Sequence, residues 1–301
     1  MTASGSTSAA GPAPGVTPGA ASGPPVRAAH RHPRPWRATL RAIPTLLRIG
    51  VAETVAYRAE FVIWMLTTSL PLVMLGLWTS VAAEAPFRGY DSADFVAYYL
   101  SVLVVRNLTG SWVSWQLEDE IRRGMLSMRL LRPIHPFLSF AASHLASVPL
   151  RGVIALPVAV VLLLSSGADA LTRDLAQLAW LLPALALGWF LSFCILFAIG
   201  ALAFFLERSS AIVDVYFGVF AVLSGYLVPL TIMPAWLAAV AQVTPFRGII
   251  GIPVQIVTDP SLGPMGAARL VGFQALWAVA VLLLLSWLWR RGVRRFEAFG
   301  A

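Results

Sequence analysis

Apolar residues along this chain gather into runs of about twenty, separated by short polar segments, and that length of helix crosses a hydrocarbon core of about 30 Å. The pattern predicts six spans, near 61–82, 95–115, 145–165, 175–206, 211–232 and 269–289. The fourth is long enough to tilt, to bend at Pro183 or to run past the bilayer. Ahead of them, residues 1–35 are Ser-, Thr-, Ala-, Gly- and Pro-rich without apolar periodicity, the composition of a disordered tail, and they lack the charged start and apolar core of a signal peptide. In the segment 36–60, Leu46, Leu47, Val51 and Val55 recur at helical spacing, Arg48 and Arg58 flank them, and Pro44 suits a first helical turn. This predicts an amphipathic helix lying in the membrane interface. The expected fold class is therefore an all-α polytopic membrane protein, with a transmembrane domain over 61–289 and a basic tail over 290–301.

Composition agrees. A mean hydropathy of +0.77, with 58% hydrophobic residues, exceeds what one soluble core needs. The net charge of +8 invites a nucleic-acid reading, but the arginines cluster beside apolar spans, where positive charge marks the cytoplasmic side of a bilayer. Nucleic acid is not the expected partner. Seven Arg precede the first span, four lie in the loop 116–144 and four follow residue 289, whereas the loops 83–94 and 167–174 hold one each. Both termini and the loop 116–144 are thereby predicted to be cytoplasmic, and 234–268 to be external.

All 22 basic residues are Arg. Without a Lys these residues cannot form a Walker A phosphate loop or a Schiff base. The single Cys194 lies in an apolar run, and His135 and His144 have no carboxylate at zinc-protease spacing. No metal site and no cofactor is expected on this chain.

The segment 118–136 carries seven charges in nineteen residues. Leu117, Ile121, Met125 and Met128 share one helical face, while Glu118 with Arg122 and Asp119 with Arg123 form acid-first i,i+4 pairs. A short amphipathic helix ending before Pro133 is predicted. Pattern alone favours a solvated loop helix on the membrane surface. Arg106 and Asn107 fall mid-span, where an ionisable group is costly and faces protein or water. They are candidates for the pathway or an interface, with structural pairing the simpler reading. Asp214 is a partner for Arg106 only if the two lie at one depth. Trp112 and Trp115 read as interfacial belt residues, and Arg290, Arg291, Arg294 and Arg295 as an inside anchor that favours anionic lipid.

Two stretches carry a resemblance. Glu120-Ile121-Arg122-Arg123-Gly124-Met125-Leu126, followed by Leu130-Leu131-Arg132-Pro133-Ile134, resembles the loop after the second span in permease subunits of type-2 ATP-binding-cassette (ABC) exporters. Ser224-Gly225-Tyr226-Leu227-Val228-Pro229, then Pro234-Ala235-Trp236-Leu237, Thr244-Pro245-Phe246 and Pro253, is similar to that family's fifth span and external segment. The resemblance covers roughly residues 40–295. It implies that Glu118, Asp119, Glu120, Ile121, Arg122, Arg123, Gly124, Met125 and Leu126 form a cytoplasmic coupling helix against an ABC ATP-binding subunit. It further implies that Pro234, Trp236, Pro245, Phe246 and Pro253 belong to short extracellular re-entrant helices. The implied protein is half of an exporter in a bacterial cytoplasmic membrane. It would pair with a second permease, the same chain or a paralogue, and would itself be no enzyme, with ATP and Mg on the partner ATPase. The cargo is not legible. The alternative is a self-sufficient secondary transporter or channel using charges such as Arg106 and Asp214, against which stand few membrane-depth carboxylates and no clear inverted repeat.

Overall fold

The computed structural model describes residues 70–206 and 209–299, together with Pro44, Thr45 and Arg48, which are helical and exposed; of 297–299 it describes the backbone alone. The tail 1–35, most of the interfacial helix predicted at 36–60, and residues 61–69 of the first predicted span lie outside the described residues. Within them the chain is helical, and the sole β feature is an isolated antiparallel bridge between Phe87 and Tyr90.

The helices run α1 Leu70–Ala82, α2 Ser92–Thr109, α3 Val113–Arg122, α4 Leu126–Leu130, α5 Pro136–Ala146 and α6 Val148–Leu164. After them come α7 Leu175–Leu178, α8 Leu181–Ala201, α9 Ser210–Leu223, α10 Ala235–Val243, α11 Gly251–Thr258 and α12 Gly263–Phe299. Three stretches among the described residues are long and apolar enough to cross a membrane: Pro136–Leu164, Leu175–Phe204 and Gly263–Phe296. The middle one is the centre of the bundle, since 61% of its most apolar stretch is buried against 22% and 28% for the other two. Leu191, Phe193, Cys194, Leu196 and Phe197 of α8 are fully enclosed, with Phe95, Tyr99 and Val102 of α2, Val113 and Leu117 of α3, and Leu285 of α12 in the same core.

The helices depart from the predicted runs in four places, each with a local cause. The run 95–115 is cut at Gly110, whose backbone is extended (φ −63°, ψ 146°), because the guanidinium of buried Arg151 takes the Gly110 carbonyl that a continuing helix would have used. The third helical stretch starts at Pro136, earlier than predicted: Pro136 suits the first turn, and Nδ1 of His135 accepts the Phe137 amide at 3.1 Å. The run 211–232 stops at Leu223 because Gly225 takes φ +84°, a left-handed conformation glycine adopts without a Cβ penalty. Tyr98 and Tyr99 then hold the turn by donating to the carbonyls of Gly225 and Leu227 at 2.6 and 2.8 Å. The last helix meets no breaker and runs 37 residues, about 55 Å at 1.5 Å per residue.

Loops meet at two ends. At one, Arg88 donates to the Ile232 carbonyl at 2.9 Å, Tyr90 bonds Thr231 at 2.8 Å, and Gln177 donates to the carbonyls of Ile256 and Asp259 at 2.8 and 2.9 Å. At the other, Glu118 holds Ser209, His135 lies 5.6 Å from Trp289, and Phe204 touches Trp289 and Phe296 at 5.5 and 5.9 Å. Between these ends run α2, α5 with α6, α8, α9 and α12.

Candidate functional site

The charged segment folds at the second of these ends as two short helices around a turn. α3 docks on α8 at Gly200, where an added Cβ would stand 2.9 Å from the Ser114 carbonyl oxygen, so no larger residue permits the approach. That contact buries Leu117 completely and leaves Ile121 7% exposed. Burying two such side chains is worth roughly 1.5–3 kcal/mol each relative to water. Gly124 then adopts φ +72° and breaks the helix that the apolar spacing predicts as continuous. Beyond the turn Leu126 is buried, whereas Met125, Met128 and Leu131 are 47%, 68% and 82% exposed. The expected single apolar face is thus divided: Leu117 and Ile121 face the protein and Met125 and Met128 face outward, with Leu126 buried beside the first pair and Leu131 exposed beside the second.

The acids of the segment are engaged with the protein itself. Glu118, 8% exposed, accepts from the Ser209 amide at 3.2 Å and its hydroxyl at 2.6 Å, which places a carboxylate at the N-terminus of α9 where the helix dipole favours it. Arg122 stands 3.8 Å from Glu118, and Arg123 pairs with Asp119 at 2.7 Å, so both predicted i,i+4 pairs form. Glu120 accepts two bonds from Arg129, one at 2.8 Å. Arg129 also donates to Ser139 of α5 at 2.7 Å and lies 4.2 Å over the Phe140 ring. A bidentate, partly buried pair with a third donor and a ring beneath is far more ordered than an exposed ion pair. Of the nine predicted docking residues, Glu118, Glu120, Ile121 and Leu126 therefore brace the loop, while Asp119, Arg122, Arg123, Gly124 and Met125 lie at its surface.

A polar layer sets the angle between α2 and α3. His144 of α5 faces Gln116 at 3.0 Å through Nε2 and Ser111 at 3.3 Å through Nδ1, and packs 4.6 Å from the Trp112 ring. Arg151 of α6 lies 4.5 Å over the same indole while bonding Gly110. Trp112, expected in an interfacial belt, is half-buried beside this junction, and Trp115 is 41% exposed.

Arg106 is 8% exposed, with its guanidinium carbon 5.1 Å from the Phe220 ring and 6.0 Å from Phe217 and Tyr226. A desolvated cation over aromatic faces gains about 2 kcal/mol. Asp214 is exposed with Ala211, Val215 and Gly218 on the side of α9 opposite the inward Val213, Tyr216 and Phe220, so it lies away from the face of α9 that meets Arg106. Asn107 is half-buried. The segment after Gly225 forms α10 and α11, about 13 and 12 Å long, each too short to span a bilayer. Pro234 caps α10, Pro245 opens a 3-10 turn that contains Phe246, and Pro253 lies in the first turn of α11. Trp236 is 70% exposed, while Ile249, Ile250 and Ile252 are fully buried.

Sequence reading gave no role to Arg129, Ser209 or Arg151, and named Leu131 only within the stretch that carries the resemblance. Arg151 bears the signal that marked Arg106, a lone charge in an apolar run. The other three carry none, because their roles depend on partners distant in the chain or on exposure. Among the described residues no group of three or more His, Cys, Asp or Glu side chains is arranged to hold a metal ion.

An all-helical bundle with membrane-length apolar helices and a braced, polar end loop defines a multi-pass integral membrane protein. Its family follows from comparison: the family described as ABC-2 family transporter protein matches residues 63–300, most of the chain, and the chain belongs to that family. Members are the membrane component of ABC transporters, are not themselves catalytic, and work in general with an ABC ATP-binding subunit. No curated protein matches the chain.

Proposed function

We propose that this chain is the permease half-subunit of an ABC exporter, and that the surface around Gly124 is where a separate ATPase drives it. The observation that carries this is the division of the loop's apolar residues: Met125, Met128 and Leu131 stand exposed at a polar end of the molecule, on a turn whose Glu118 and Glu120 are tied inward. Exposed apolar side chains on a rigid support form good anchors, and the rim arginines Arg122 and Arg123 supply orientation and selectivity.

The braces suit transmission of force. Glu118 links the loop to the start of α9, Arg129 links it to α5, and Arg151 with His144 links α3 to α2 across the break at Gly110. Displacement of the loop by closure of the ATPase subunits would move several helices together, the rigid-body rocking by which such halves exchange inward-open and outward-open states. In this reading the six predicted spans place both termini in the cytoplasm of a bacterial cell, α10 and α11 dip into the outer leaflet, and a second permease completes the pathway. ATP and Mg belong to the ATPase. This chain binds no cofactor and performs no covalent chemistry.

Reconstitution tests the proposal. Vesicles holding the permease and its ATPase should move cargo only with ATP. Glu120→Arg should abolish coupling, and Glu120→Arg with Arg129→Glu should restore it in part. Transport that continues without any ATPase overturns the reading and favours a self-sufficient transporter.

A further inference from the structure

Between α12 and the chain entering α5 lies a crevice whose chemistry changes along its length. Its inner part, about 270 Å³, is walled by Phe137, Leu138, Phe197, Leu282 and Leu285. Its mouth, about 680 Å³, is bordered by Arg132, Arg290 and Arg294, with Pro133 and Val293 beside them. His135, Trp289 and Arg290 border both parts, so the two are continuous. On α12 the lining residues Leu282, Leu285, Ser286, Trp289, Arg290, Val293 and Arg294 recur at helical spacing and form one stripe, apolar above and cationic below, about 18 Å long.

We propose that this crevice is a binding site for one anionic phospholipid of the leaflet that faces the charged loop, with an acyl chain in the apolar slot and the phosphate among Arg132, Arg290 and Arg294. Charge complementarity selects the occupant. Among the described residues no carboxylate lines either part of the crevice, and none lies within ion-pair range of those three arginines. Three guanidiniums around one mouth oppose a neutral or cationic ligand and favour a phosphodiester, which accepts their paired donors. A soluble phosphate would leave the hydrocarbon-walled slot unfilled, whereas a lipid fills both halves. The neighbouring arginines are committed elsewhere: Arg291 lies 4.2 Å over Trp287 and Arg295 5.7 Å over Phe205. Leu130 and Arg132 tie the mouth to the charged loop, so a bound lipid would steady that loop from beside α4. The site rests on the membrane assignment and is independent of whether an ATPase docks at Met125 and Met128.

The test uses the full-length chain in zwitterionic detergent, titrated with dioleoylphosphatidylglycerol, dioleoylphosphatidylcholine or glycerol 3-phosphate, with binding read by native mass spectrometry and by the shift in Tm. Phosphatidylglycerol should bind saturably at one site. Arg132→Gln/Arg290→Gln/Arg294→Gln should weaken it at least about tenfold, given about 1 kcal/mol for each basic residue near a lipid surface, and Arg291→Gln/Arg295→Gln should change it less than about twofold. Leu285→Trp, which fills the slot and leaves the charge intact, should also weaken it, so the proposal does not depend on the triple variant alone. Equal binding of phosphatidylcholine, equal loss in the Arg291/Arg295 control, or an equal response to glycerol 3-phosphate would overturn it.

Discussion

Replacing Gly124 with alanine isolates the turn on which the docking surface depends. At φ +72° an alanine strains its Cβ against the following carbonyl, a cost of roughly 1–2 kcal/mol, offset in part by lower entropy in the unfolded chain. Sterics add nothing, because no atom lies within 4 Å of the position a Cβ would take. The net cost is about 1 kcal/mol, a factor of about five in the equilibrium between the turn and its alternatives. The alternative that gains is the continuous helix implied by the apolar spacing, in which Met125 and Met128 rotate towards the face of Leu117 and Ile121. Amide hydrogen exchange over residues 121–131 should therefore quicken about fivefold in Gly124→Ala. The permease's stimulation of its ATPase should fall in the same variant, by less than that factor because the turn stays the major state, while Gly124→Asn, which tolerates the left-handed region, should lose less. Equal exchange and equal stimulation in wild type and Gly124→Ala would refute the reasoning, as would an asparagine variant worse than alanine.

Three further predictions follow from buried or capping contacts. Tyr98→Phe removes the 2.6 Å bond to the Gly225 carbonyl and leaves a buried acceptor unmet, so unfolding in detergent should show a loss of about 1–3 kcal/mol. Glu118→Ala should cost about 1–2 kcal/mol by uncapping α9, whereas Glu118→Gln keeps an acceptor for Ser209 and should recover part of it, as read by thermal unfolding of the two variants. Burial lowers the pKa of His135, so its neutral Nδ1 accepts the Phe137 amide at pH 7. The unfolded chain binds that proton more readily, so wild type should lose stability relative to His135→Asn as pH falls from 7.5 towards 5, and parallel Tm curves would contradict this.

The apolar runs made the helices legible, because 20 apolar residues in a row have one economical use. Their ends were less so. The stop at Leu223 depends on hydroxyls of Tyr98 and Tyr99, more than a hundred residues away, and the stop at Thr109 on Arg151, which no local pattern links to Gly110. In the charged loop the i,i+4 pairs were readable because the helix itself sets their distance. The inward turn of Ile121 and the outward turn of Met128 were not, since a left-handed glycine between them reverses the geometry and spacing alone cannot show its φ. Arg106 was recognised as a mid-span charge, but its ring partners arrive from α9 and from Tyr226, fixed only by the packed bundle.

Cysteine-directed crosslinking at Met128 tests the central claim most directly, since the native Cys194 is buried and should stay silent. With Met128→Cys and a short thiol-to-amine linker, the account predicts an adduct between permease and ATPase, loss of ATP-driven transport on crosslinking, and no labelling by impermeant thiol reagents added outside intact cells. External labelling at residue 128, or crosslinking that captures no ATPase while transport proceeds, would contradict it.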